Sequence, residues 1–248
     1  MQDSSLSRRS PQLFAGMLAL SIALVVSSFI GAGAIRNLRR PSDALSVTGS
    51  AKRPIRSDYI IWRVSISSQQ PTPQAAYQEL KTRTERVQRY LQEKQVPNDV
   101  VKLSSIDTST VPEVINNRET GKTLAYKLNQ RFEIRSNDVD RIAKLSQQST
   151  ELINEGIPLV SEPPEYLYTQ LAKLRVEMVA EATKDAKARA EAIAGSTGNR
   201  IGSVQSAQTG VFQITSRNST EVSNSGIYNT TSLEKDITAV VSVKFAMD

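Results

Sequence analysis

An uncharged apolar segment near the N-terminus constrains this chain more than any other feature. It reads "LFAGMLALSIALVVSSFIGAGAI" over residues 13–35. As one α-helix it would extend about 35 Å, enough to cross the hydrocarbon core of a bilayer. Arginines flank it on both sides: Arg8, Arg9, Arg36, Arg39 and Arg40. The segment predicts a transmembrane signal anchor, and the alternative is a signal peptide cleaved after Ala32, Gly33 and Ala34.

This segment divides the chain and locates its charge. We expect an N-terminal tail over residues 1–12, the membrane segment over 13–35, a linker over 36–43 and a folded domain over 44–248. The net charge is +6, but the first 40 residues hold five arginines against one acid, which leaves the rest at +2. A nearly neutral domain with 5% aromatic residues argues against a nucleic-acid partner.

The chain contains no cysteine and no histidine. This composition excludes thiol catalysis, disulfides and Ser-His triads, and it removes nearly all zinc chemistry. Acid–base work could still be done by carboxylates, and oxygen ligands could still hold a metal. We expect no cofactor, because no motif in the sequence predicts one.

Hydrophobic periodicity predicts an α+β fold of antiparallel sheets with packed helices. Alternation marks strands at "YIIWRVSISSQ" (59–69) and "LAYKLNQRFEIRS" (124–136), and Thr72 before Pro73 marks a helix start. We expect a loop over 112–122, a second helix capped by Asn137, and an edge strand interrupted by Pro163 and Pro164. Residues 59–168 thus form a split β-α-β-β-α-β unit.

The ends of the domain are predicted to form a second layer. The closing strand "ITAVVSVKF" (237–245) needs a partner, and "LSVTGSA" (45–51) is the unpaired candidate. Between the unit and this closing strand, a long alanine-rich helix is predicted, with apolar residues spaced by three or four. These are Leu171, Leu174, Met178, Ala182, Ala186, Ala190 and Ile193.

The stretch "GSTGNRIG" (195–202) superficially resembles a phosphate-binding loop. Phosphate loops follow a strand and precede a helix, because the helix N-terminus offers free N–H groups. Here Gly195 and Gly198 stand where the long helix ends, and the following residues alternate like a strand. They therefore predict a helix C-cap and not a nucleotide site.

Three further features could belong to a functional site. Glu162 and Glu165 flank the Pro-Pro pair and are interpreted as an exposed edge turn. Asp138 and Asp140 are interpreted as acids at a helix start, which the helix dipole favours. Trp62 shares its strand face with core positions and is interpreted as a packed sheet residue, with an interface anchor as the alternative. No catalytic or metal-binding residue is predicted.

Four stretches in this order resemble the SIMPL-domain family of exported proteins, which includes periplasmic immunogenic antigens and oxidative-stress defence proteins. They are "LSVTGSA", Asp58 before an apolar strand, "DAKARAEAIAGSTGNRIGSV" and "ITAVVSVKF". The similarity covers residues 44–245, and the chain departs from the family at Pro54, in the first hairpin. The resemblance implies an α+β fold, an envelope location and a role in stress tolerance or assembly. It transfers no catalytic residues.

On this resemblance, residues 1–12 are cytoplasmic, the anchor lies in the inner membrane and residues 44–248 lie in the periplasm; cleavage would instead give a soluble periplasmic protein. Two functions follow as hypotheses. One is a membrane-tethered, non-catalytic module that assembles into homo-oligomers, with Ala182, Ala186 and Ala190 as the candidate contact. Their alternative role is packing on the protein's own sheet. The other function is an enzyme with a carboxylate-based or oxygen-ligand metal site.

Overall fold

The computed structural model describes residues 15–18, 20–28 and 44–247. Residues 15–18 and 20–28, within the predicted membrane segment, are helical and exposed. Among the helices so described, none is both long and apolar enough to span a bilayer. The predicted tail over 1–12, the linker over 36–43 and the remaining residues of the 13–35 segment lie outside the described residues.

The folded domain contains eleven strands and four α-helices within residues 44–247. The strands are β1 (Ala44–Arg56), β2 (Tyr59–Gln70), β3 (Val101–Leu103), β4 (Asp107–Ile115), β5 (Arg118–Ser136), β6 (Leu159–Ser161), β7 (Glu165–Leu167), β8 (Ile201–Thr209), β9 (Gln213–Ser216), β10 (Ile227–Tyr228) and β11 (Glu234–Met247). The helices are α1 (Pro73–Glu93), α2 (Val139–Gln148), α3 (Glu151–Asn154) and α4 (Leu171–Ser196). They form an α+β fold of two mostly antiparallel sheets with packed helices.

The middle of the chain forms the predicted split unit. Its sheet has the order β3-β5-β2-β6, with β4 also paired to β5 and β7 also paired to β2. All these pairs are antiparallel, and α1 and α2 pack against β2 and β5. Core side chains alternate along β2, because successive residues of a strand face opposite sides. The buried residues of β2 in this core include Ile60, Trp62, Val64 and Ile66.

The ends of the domain form the other sheet, as predicted. β1 and β11 pair antiparallel over their full length, with Val47 opposite Val243 and Gly49 opposite Val241. β9 and β8 pair with the other edge of β11, and the short β10 extends β9 in parallel. Helix α4 crosses the face made by β1 and β11 and closes a second hydrophobic core.

Pro54 does not shorten the first strand, because it lies on an open edge. β1 continues to Arg56 and pairs only with β11 among the described strands. The N–H of Ser50 points away from β11 and donates to Asp185 Oδ2 at 2.8 Å. The backbone nitrogen of Pro54 points the same way as that of Ser50, because N–H directions alternate along a strand and the two residues are four apart. The missing N–H of Pro54 therefore costs no ladder hydrogen bond.

Two local predictions in the split unit were wrong. The expected loop over 112–122 is a β-ribbon, in which Asn116 (φ 51°) and Asn117 (φ 63°) form a two-residue turn between β4 and β5. Such left-handed pairs match the twist of a hairpin, and asparagine tolerates them. The second helix is capped by Asp138 rather than Asn137, through a hydrogen bond from the N–H of Arg141 at 3.3 Å.

Candidate functional site

The link between the two sheets is a polar corner. Ser57 and Asp58 connect β1 of one sheet to β2 of the other. An open cavity of about 490 Å³ lies at this corner, and the N-terminal ends of α2 and α4 border it. Its lining residues are Arg56, Ser57, Asp58, Asn137, Asp138, Val139, Asp140, Thr169 and Gln170.

The three aspartates of this cavity serve the local structure. Asp58 accepts hydrogen bonds from the N–H and the hydroxyl of Thr169, at 2.7 and 2.8 Å, just before α4 begins. Asp138 caps α2, and Asp140 in its first turn pairs with Arg56 at 2.6 Å. Within residues 15–18, 20–28 and 44–247, no group of three or more metal-ligating side chains converges. The cap by Asp138 and the first-turn position of Asp140 agree with their interpretation as helix-start acids.

The glutamates around the Pro-Pro pair also have arginine partners. Glu162 contacts Arg131 at 3.3 Å, and Glu165 accepts a hydrogen bond from Arg63 at 2.5 Å. Hydrogen bonds from Arg63 to Glu165 and to Glu133 raise the pKa of the guanidinium. These glutamates bind β6 and β7, the interrupted edge strand, to the rest of the sheet. Their separate ion pairs do not form a shared acid–base site.

Lys235 is the ionisable residue that sequence reasoning missed. It is 1% exposed, and its Nζ donates to Ser57 Oγ at 2.8 Å and to the carbonyl oxygen of Tyr166. Burial lowers the pKa of this amine to about 8. The signal was present in the sequence, because Lys235 has the same strand parity as the core residues Ile237 and Ala239.

The alanine stripe of α4 is core. Ala182, Ala186 and Ala190 are each 0% exposed and belong to the cluster between α4 and the β1–β11 face. This corrects their interpretation as a contact between copies, because the chain's own sheet already covers them. The stripe allows close packing: an added Cβ at Gly49 would lie 2.2 Å from the carbonyl oxygen of Ala182.

Two other interpretations agree with the structure. Trp62 is buried in the split unit, and its Nε1 donates to Ser161 Oγ at 2.9 Å, so it packs in the sheet. Helix α4 ends at Ser196 and β8 begins at Ile201, with the left-handed Gly198 (φ 77°) between them. The stretch 195–202 is therefore a helix end, as the residue order indicated.

A further exposed feature of the described domain is the β4–β5 ribbon, residues 107–127. β5 pairs with β2 only as far as Tyr126, so residues 118–125 extend past the end of β2. β4 pairs with β5 and, within the described residues, with no other strand. The ribbon carries apolar side chains in solvent: Val114 and Ile115 are 55% exposed, and Leu124 is 48% exposed.

Together these features define a class of two-sheet α+β domain, in which the candidate carboxylates brace the fold and a β-ribbon projects from one sheet. The model of the SIMPL family, whose description is "Protein of unknown function (DUF541)", matches residues 45–245 of this chain. The chain belongs to this family, which confirms the resemblance seen in its sequence. A comparison with curated proteins gives no match.

Proposed function

We propose that this SIMPL protein is a membrane-tethered, non-catalytic module that self-assembles in the cell envelope and contributes to envelope or oxidative-stress tolerance. Residues 13–35 anchor it in the inner membrane, and the domain from residue 44 onward lies in the periplasm. The length and lack of charge of this segment support the anchor. The ion pairs and caps that occupy the candidate carboxylates support a role without catalysis.

The observation that carries self-assembly is the exposed ribbon. A two-stranded ribbon has little stability of its own, and its unpaired strand edges can accept another strand. Here the tip also carries Val114 and Ile115, and their burial in a contact would remove apolar surface from water. The ribbon is therefore the contact surface that replaces the buried alanine stripe in this proposal.

The partner is a second copy of the same chain. The ribbon has three acids and three bases, so two ribbons can approach without net repulsion. They are Asp107, Glu113, Glu119, Arg118, Lys122 and Lys127. A common membrane further raises the effective concentration of the tethered domains, so a weak contact is enough.

Sedimentation of a fragment covering residues 42–248 tests the contact. This fragment includes both hydrophobic cores, so it retains the folded domain. We expect oligomers at tens of micromolar, and a monomer for the double variant Val114→Asp/Ile115→Asp. The matched control is the double variant Val176→Asp/Val222→Asp, which places the same two charges at valines that are 72% and 79% exposed and lie outside the ribbon. A monomeric wild-type fragment, or an oligomer that survives the double variant, contradicts assembly through the ribbon.

Protease accessibility tests the topology independently. Residues 44–248 should be digested when a protease is added to spheroplasts, while the full-length chain stays with the membrane fraction. Protection of the domain in intact spheroplasts would refute the periplasmic location. Release of the domain into the soluble periplasmic fraction would instead identify residues 13–35 as a cleaved signal peptide.

A further inference from the structure

The two sheets are joined by hydrogen bonds at the polar corner, here called the seam. One backbone bond crosses it, from the N–H of Tyr166 in β7 to the carbonyl oxygen of Thr230 at 2.7 Å. Two more lead up to it within each sheet: the N–H of Ser57 donates to Leu233 at 3.0 Å and continues the β1–β11 ladder, and the N–H of Asp58 donates to Leu167 at 3.0 Å and continues the β2–β7 ladder. The hydrophobic residues on either side form separate clusters. The seam is thus largely polar, although Leu233, just before β11, packs against the core of the split unit.

Lys235 lies inside the seam and bonds to both of its sides. Its amine reaches Ser57 Oγ at the corner and the carbonyl oxygen of Tyr166 in β7. In the described part of the chain, no carboxylate comes within ion-pair distance of this amine. A buried amine without a counter-charge is unfavourable when charged, because it has lost its hydration.

The charged groups around the seam are committed to other partners. On the corner, Arg56 pairs with Asp140 and Glu234, and Asp58 bonds to Thr169. On β7, Glu165 pairs with Arg63, while Tyr166 carries a neutral phenol whose pKa is raised by burial. On β11, alternation directs Glu234 and Asp236 away from Lys235. Asp236 pairs with Lys52 and Arg217.

Hydrogen-bond counting distinguishes the two protonation states of the amine. A neutral amine has two N–H donors, and the seam supplies two acceptors. The ammonium form has three donors, so one N–H stays without a partner on a side chain that is 1% exposed. Opening the seam would hydrate that third donor, and protonation therefore favours the open form. The lowered pKa of Lys235 agrees with this direction.

We propose that Lys235 is a proton-sensitive latch between the two sheets, closed as a neutral amine and loosened when the amine gains a proton. Opening returns the lysine from a pKa of about 8 to its ordinary value of 10.5. Because the open and closed forms differ in the pKa of this lysine, the equilibrium constant for opening the seam depends on pH. It increases roughly fourfold from about pH 8.5 to about pH 6.5.

Hydrogen exchange of the full-length chain in nanodiscs, read by mass spectrometry, tests the latch. The exchange rates are corrected for the intrinsic pH dependence of amide exchange. They are measured under conditions in which the seam closes faster than amides exchange, so that each rate is proportional to the equilibrium constant for opening. Segments with the seam donor Tyr166 should show the fourfold increase, and segments inside the β2–β5 ladder should not. In Lys235→Met, which keeps the bulk without the charge, the seam segments should lose this pH dependence.

The matched control is Lys187→Met, at a lysine whose side chain is 63% exposed, and it should behave like the wild type. Equal pH dependence in the wild type and Lys235→Met would overturn the proposal. If Lys235→Met does not fold, the wild-type comparison decides alone: seam segments that change no more than the β2–β5 segments also overturn it.

Discussion

Gly49 permits a close approach between a helix and a sheet in the alanine-lined core. It lies in β1, directly beneath α4. A Cβ at this position would be 2.2 Å from the carbonyl oxygen of Ala182, 2.3 Å from the nitrogen of Ala186 and 2.7 Å from its Cα. All three atoms belong to the helix backbone, so no side-chain rotation can relieve the overlap. We therefore expect Gly49→Ala to force α4 away from the sheet.

The size of the effect follows from the distance. Ordinary contact begins at 3.4 Å, so α4 and β1 must separate by roughly 1.2 Å at this point. That movement loosens the layer that holds Met178, Ala182 and Ala186, each 0% exposed. Overpacking against an immobile neighbour costs about 3 kcal/mol. For a domain of this size that loss lowers the Tm by roughly 6–12 °C.

Thermal unfolding followed by circular dichroism measures this change, and Gly195→Ala is the matched control. Gly195 lies in the last turn of the same helix, has no atom within 4 Å of an added Cβ and needs no left-handed backbone. Its replacement should leave the Tm unchanged or raise it slightly, since alanine is the better helix former. A Tm for Gly49→Ala within about 2 °C of the wild type would refute the close-packing argument.

Two further predictions concern buried side chains. Ala186→Arg should unfold the domain or lower its stability by at least about 3 kcal/mol, because an unpaired charge would enter a closed core. A stable, folded monomer in sedimentation would instead restore the stripe as a contact between copies. For Lys235, the pKa of about 8 in the folded chain lies below the ordinary value of 10.5. Between these two pH values the unfolded chain binds more protons than the folded chain, so the free energy of unfolding rises with pH. Urea unfolding should therefore show the wild type gaining up to about 3 kcal/mol relative to Lys235→Met as the pH rises across this window, and the relative change should level off about one pH unit below it. Parallel profiles would contradict the buried-amine assignment.

The sequence by itself determined most of the strands and helices and their order, although not the β4–β5 ribbon. Alternation along β2 and β5 and the three-to-four spacing along α4 identify strands and a helix, because the exposed and buried faces of each element follow its backbone period. The split unit and the pairing of β1 with β11 followed from these elements, since each apolar strand needs a partner. Even the interruption at Pro163 and Pro164 was readable, because proline cannot donate to a sheet ladder.

Tertiary structure alone decided which surfaces are free. The stripe at Ala182, Ala186 and Ala190 has the same spacing whether it faces another copy or its own sheet; β1 lies beneath it only because distant segments meet, as shown by Ser50 and Asp185, 135 residues apart. The ribbon is likewise a consequence of strand length, since β5 continues beyond the end of β2. Local periodicity records which face of an element is apolar, whereas burial also depends on what long-range packing places against that face.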